Sequence, residues 1–139
     1  MREAEAKMAA LVPDLARELG WQVHRQGDHY GTLLAPEGWT MGVSVGYEGT
    51  RGRGCFVLCG CLPRTKSGDV VWLEGGRLPP VIKVPLDRRA KLVAADVRRR
   101  LLPEFEPLWV EAQVSLAEQD SRDRESDKES RTRSEGGRR

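Results

Sequence analysis

The sequence predicts an α+β domain, with an N-terminal helix, an antiparallel sheet of five or six short strands, C-terminal helices packed on one face, and a disordered charged tail. Three observations carry this. Apolar residues recur at intervals of three and four near both ends of residues 1–119, their period changes to two between Trp21 and Pro85, and residues 120–139 hold no aliphatic, aromatic or cysteine side chain. The first pattern is that of helices with one buried stripe, the second that of half-buried strands, and the third offers nothing that burial could stabilise.

In the first helix the stripe is Met8, Leu11, Val12, Leu15 and Leu19, closed by Gly20. Pro13 removes a backbone donor, so it either kinks this helix or marks the start of its better-formed half. Strands are then expected at Trp21 to Gln26 and Tyr30 to Ala35, around the turn residues Gly27-Asp28. The clearest strand is Trp39 to Tyr47, where Trp39, Met41, Val43, Val45 and Tyr47 alternate with Thr40, Gly42, Ser44 and Gly46. Further strands are expected at Cys55 to Leu62, Val70 to Leu73 and Val81 to Val84. No helical segment separates them, so antiparallel pairing is the economical topology, since parallel pairs need crossovers of about a dozen residues.

Asp87 is the expected N-cap of a helix to Leu102 whose apolar face is Ala90, Val93, Ala94, Val97 and Leu101. Pro103 and Pro107 then interrupt, and Phe105, Leu108, Trp109, Ala112 and Leu116 define a further helix bent at its start. Residues 1–119 thus form one domain and 120–139 a charged tail whose ordering entropy nothing offsets.

Net charge is +2, from 23 basic and 21 acidic residues, which is too balanced to announce a nucleic-acid or membrane partner by bulk charge. No run of apolar residues is long enough to span a bilayer, and the opening Met-Arg-Glu-Ala-Glu-Ala-Lys lacks the character of a secretory signal, so a cytoplasmic location is expected. Cys55, Cys59 and Cys61 crowd into seven residues, unlike a spaced disulfide framework. They share strand parity, but residues two apart on a strand are about 6.7 Å apart, whereas sulfurs on one tetrahedral zinc lie within about 4 Å. Buried thiols in a core strand are the expectation, with no metal and no cofactor.

Catalysis is not expected, because His24 lies among polar alternates of a strand and His29 beside Asp28 in a turn, neither near an obvious nucleophile. The tryptophans include a possible stacking platform, although Trp39 falls on a core face and Trp72 cannot be assigned one. The strongest functional lead is the helix carrying Arg88, Arg89, Lys91, Arg98, Arg99 and Arg100 against Asp87 and Asp96. These cations fall opposite the apolar stripe, where they suit phosphates or an acidic protein surface; the same pattern also serves a solvated helix, and Glu104, Glu106, Glu111 and Glu118 are at hand to pair with them. Arg51 and Arg53 lie in the glycine-rich stretch from Tyr47 to Gly54, whose composition suits a phosphate or an acidic side chain but which lacks a P-loop ending, so a plain hairpin loop is the expectation.

Val84-Pro-Leu-Asp-Arg-Arg-Ala90 and Ala95-Asp-Val-Arg-Arg-Arg-Leu-Leu-Pro103, followed by Leu108-Trp109, resemble the closing segment of small proteins carried by phages and other bacterial mobile elements. The resemblance implies an accessory or host-interaction role, with no activity or site residue to carry over. The expectation is therefore a non-enzymatic binding or inhibitory protein that sets Arg88, Arg89, Lys91, Arg98, Arg99, Arg100, and with them Arg51 and Arg53, against an acidic protein surface. DNA or RNA is the alternative partner.

Overall fold

The computed structural model describes residues 2–27, 29–48, 53–69, 71 and 73–136, without the side chains of residues 2, 47, 48, 53, 74 and 123–136. Helix α1 (Arg2–Leu19) leads into β1 (Gln22–Gln26), β2 (Tyr30–Leu34), β3 (Thr40–Glu48), β4 (Arg53–Cys61) and β5 (Val81–Pro85). Every neighbouring pair is antiparallel and the spatial order is β1-β2-β3-β4-β5, the simplest meander. The chain then runs through α2 (Ala90–Asp96), a π-helical turn (Val97–Leu101) and α3 (Leu102–Gly136) without a break.

Alternation along the strands separates two faces. Leu33, Met41, Val43, Phe56, Leu58, Ile82 and Val84 point into the core, against Met8, Val12 and Leu15 of α1 and Val93, Val97, Leu101 and Phe105 of the C-terminal helices. The other face carries Thr32, Thr40, Gly42, Ser44, Val57, Cys59 and Cys61, all half-buried, and none of these joins the core cluster formed with the helices. Gly60 falls on the core side, where an added Cβ would stand 2.2 Å from Cδ2 of Phe105. That ring is fully buried and meets Trp39 edge-on at 5.7 Å, and Trp39 meets Trp109 at 5.5 Å.

Three local expectations change. The helix expected from Asp87 starts instead after Arg89, which is extended (φ −67, ψ 148) and whose carbonyl accepts from the amides of Leu92 and Val93. Asp87 stays in a turn closed by Arg88 N to Pro85 O, because the Arg88 side chain reaches forward to Asp96. Pro103 and Pro107 do not interrupt the run: Pro103 falls just after the switch from the π-turn to the α ladder, where the donor pattern is already irregular. Finally, Val71 and Leu73 are not in a strand; they form a small second cluster with Leu108 and Ala112, under the connection from β4 to β5. Among the described residues the strands therefore number five.

Pro13 is accommodated within α1 on its exposed side. The helix ends in a Schellman arrangement, with Trp21 N donating to Ala16 O, Gly20 N donating to Arg17 O, and Gly20 at φ +73. In the tail expected at 120–139, the backbone of residues 120–136 continues α3, and residues 137–139 lie outside the described residues. Asp120 does touch the domain, accepting from the Lys66 amide at 3.2 Å.

Candidate interaction surface

The positive charge concentrates where α2 passes into the π-turn. Buried Val97 and Leu101 bracket the turn, so the three residues between them, Arg98, Arg99 and Arg100, fan outward together and all are exposed. The wider turn also keeps the apolar positions in phase, because the spacing Val97, Leu101, Phe105 would otherwise drift by about 40° per step around a regular helix.

The six cations proposed from this helix divide into two groups. Arg88 is an internal brace: its Nε donates to Asp96 Oδ2 at 2.6 Å and its Nη2 to Asp96 Oδ1 at 3.1 Å, and the Asp96 side chain is only 4% exposed. This satisfies the one charged side chain buried among the described residues. Arg89, Lys91, Arg98, Arg99 and Arg100 are exposed. Of these, Arg98 Nη2 donates to Glu18 O at 2.7 Å, tying the ridge to the C-terminus of α1, where a cation is favoured by the helix dipole. Arg99 adds a longer contact to Asp96 at 3.3 Å while 74% exposed, and a pair so open to water holds it weakly. Among the described residues Arg89, Lys91 and Arg100 make no ion pair. Glu111 pairs with Arg77 rather than with this ridge.

Leu92, 46% exposed, and Ala95 interrupt the cations with an apolar spot. Sequence reasoning passed over Leu92, although it is an apolar residue lying off the stripe formed by its neighbours. Arg51 and the side chain of Arg53 lie outside the described residues, as do Asp28 and Trp72. His29 meets Glu5 of α1 at 3.1 Å on an exposed surface, and His24 is exposed. Trp39 is a core residue, and Trp21 and Trp109 pack partly against the core.

Two further features are chemically distinctive. A cleft of about 820 Å³ lies between the β4–β5 connection and α3, with Leu62, Val71, Leu73 and Leu78 as its apolar lining and Arg64, Arg77 and Arg122 among its polar groups. On the open sheet face stand the thiols. Cys55 is buried, as the sequence led us to expect of all three, but Cys59 and Cys61, on the face of the sheet opposite the core, are only half-buried. The Cys59 thiol hydrogen-bonds to the Cys61 sulfur, and together with the Thr40 hydroxyl and the Gly42 backbone it lowers the Cys61 pKa to about 6 against the opposing effect of burial. Cys59, holding the shared proton and partly desolvated, is pushed far upward.

No helix among the described residues is long and apolar enough to cross a membrane. Neither protein-family models, nor curated proteins, nor solved structures give a match to the chain.

Proposed function

We propose that this is a non-enzymatic binding protein that presents Arg89, Lys91, Arg98, Arg99 and Arg100 to an acidic surface on another protein. The observation that carries the reading is the outward fan of consecutive arginines on a π-turn, a helical irregularity that is costly to keep and recurs at functional sites. Exposed Leu92 among the cations favours a protein partner with an apolar dimple ringed by carboxylates, since a phosphate backbone offers nothing to a leucine. Arg88 takes no part, being committed to Asp96. Arg53, the first residue of β4, and Arg51 two positions before it stay in the proposal on composition alone.

The resemblance of residues 81–109 to phage and mobile-element proteins supports a host defence or regulatory complex as the partner, inhibited by occlusion of its acidic face. Direct contact with DNA or RNA is the competing reading. An electrophoretic shift of duplex DNA separates them. Five cations on phosphates give log K a slope on log salt of about −4.5, so binding at low salt that collapses with this slope supports nucleic acid. Absence of a shift at micromolar protein in low salt, with retention of a nuclease-resistant protein partner, supports the protein reading.

A further inference from the structure

The register of β3 against β4 sets Cys61 beside Thr40 and Cys59 beside Gly42, all on the face of the sheet opposite the core. Gly42 has no side chain, and both sulfurs lean into the space this leaves: a Cβ placed there would lie 3.4 Å from Cys59 Sγ and 3.6 Å from Cys61 Sγ. The strand-spacing argument against zinc treats the two thiols as standing straight off the strand. Their convergence over Gly42 changes the geometry open to them, while the set of donors remains small. Cys55 is four residues away, about 13 Å along the strand, and among the described residues no group of three or more His, Cys, Asp or Glu side chains is placed to hold a metal.

Two donors cannot complete a tetrahedral zinc site, which takes four, and closing a disulfide requires the sulfurs to approach to about 2.05 Å from positions two apart on one strand. A linear pair of metal–thiolate bonds of about 2.3 Å holds the sulfurs about 4.6 Å apart, intermediate between disulfide contact and strand spacing. Thiolates select soft cations. We propose that Cys59 and Cys61 form a two-coordinate site for a soft monovalent cation of the Cu(I) type. Binding replaces the single proton that the two sulfurs share with two S–metal bonds, releases that proton, and leaves the ion's oxidation state unchanged. The bis-thiolate carries one net negative charge, and the hydrogen bonds from Thr40 and Gly42 to the sulfurs offset it.

The test uses the reduced full-length chain under argon, titrated with Cu(I) supplied as its bicinchoninate complex. The expected result is withdrawal of one Cu(I) per chain, with X-ray absorption showing two sulfur neighbours. Cys59→Ser and Cys61→Ser are each expected to weaken binding by about 100-fold or more, the upper end of what loss of a supporting group costs a metal site. Cys55→Ser leaves it unchanged. Gly42→Val, which fills the space between the sulfurs while leaving both thiols in place, also weakens it, with far-UV circular dichroism confirming that each variant is folded. The proposal is overturned if the folded Cys59→Ser variant holds Cu(I) as tightly as the parent, if Cys55→Ser abolishes binding, or if no Cu(I) is withdrawn while Cys59 and Cys61 react with Ellman's reagent.

Discussion

Substitution of Gly60 by alanine places a methyl carbon 2.2 Å from Cδ2 and 2.4 Å from Cε2 of Phe105, where carbon–carbon contacts ordinarily sit at about 3.5 to 4.0 Å. The ring must therefore retreat by more than about 1 Å, and it has nowhere to go. It is 1% exposed and locked edge-on against Trp39 at 5.7 Å, while Trp39 is itself held by Trp109. Overpacking of this kind costs about 1 to 3 kcal/mol, and disturbing the aromatic pair adds about 1 kcal/mol. Alanine recovers about 0.5 to 1 kcal/mol over glycine through strand entropy. The net expectation is a loss of about 2 to 3 kcal/mol, or about 10 °C in Tm for an ordered unit of this size. Urea unfolding followed by tryptophan fluorescence measures it. The same reasoning requires coupling: Phe105→Leu costs stability in the parent, but in the Gly60→Ala background that cost falls by at least about 1 kcal/mol because the smaller side chain vacates the clash. Gly60→Ala within about 0.5 kcal/mol of the parent, or a Phe105→Leu cost identical in both backgrounds, refutes the packing account.

Other expectations follow from the ion pairs and the thiols. Arg88→Ala strips the main partner from a buried carboxylate and is expected to cost about 2 to 3 kcal/mol, tempered by the remaining contact from Arg99. Arg100→Ala, exposed and without an ion pair among the described residues, changes stability by less than about 0.5 kcal/mol, and thermal melts of the two variants compare them directly. Alkylation of Cys61 by iodoacetamide follows its thiolate, so the rate rises with pH through a midpoint near the lowered value of about 6, well below the ordinary 9.0. Cys59→Ala removes the largest cause of that lowering and shifts the midpoint upward, as peptide mapping after timed quenching reads.

The fold is legible in the sequence wherever a simple period governs burial. The alternation from Trp39 to Tyr47 gives β3 to within a residue, and the stripe from Met8 to Leu19 gives α1. What escapes is set by contacts distant in sequence. Asp87 has the better capping side chain, but the pull of Asp96 on Arg88 delays the helix to Ala90. Val71 and Leu73 look like strand residues locally and become anchors because Leu108 and Ala112 arrive beside them. Parity places the three thiols on one face correctly, yet nothing local says that this face lies opposite the core, so Cys59 and Cys61 are more open than a run of apolar neighbours suggests. The cation ridge is similarly half legible. Helical spacing finds all six residues, and only the folded chain shows that Arg88 turns inward and that Leu92 turns outward among the rest.

The π-turn ridge is the proposed binding face. A photo-crosslinking amino acid placed at position 100, compared with one at position 24 on β1, tests it most directly in nuclease-treated extract of the native host. The account predicts a discrete protein adduct from position 100, none from position 24, and loss of that adduct on adding Arg98→Glu and Arg99→Glu to the same chain. An adduct that survives both charge reversals, or that forms from position 24 instead, contradicts it.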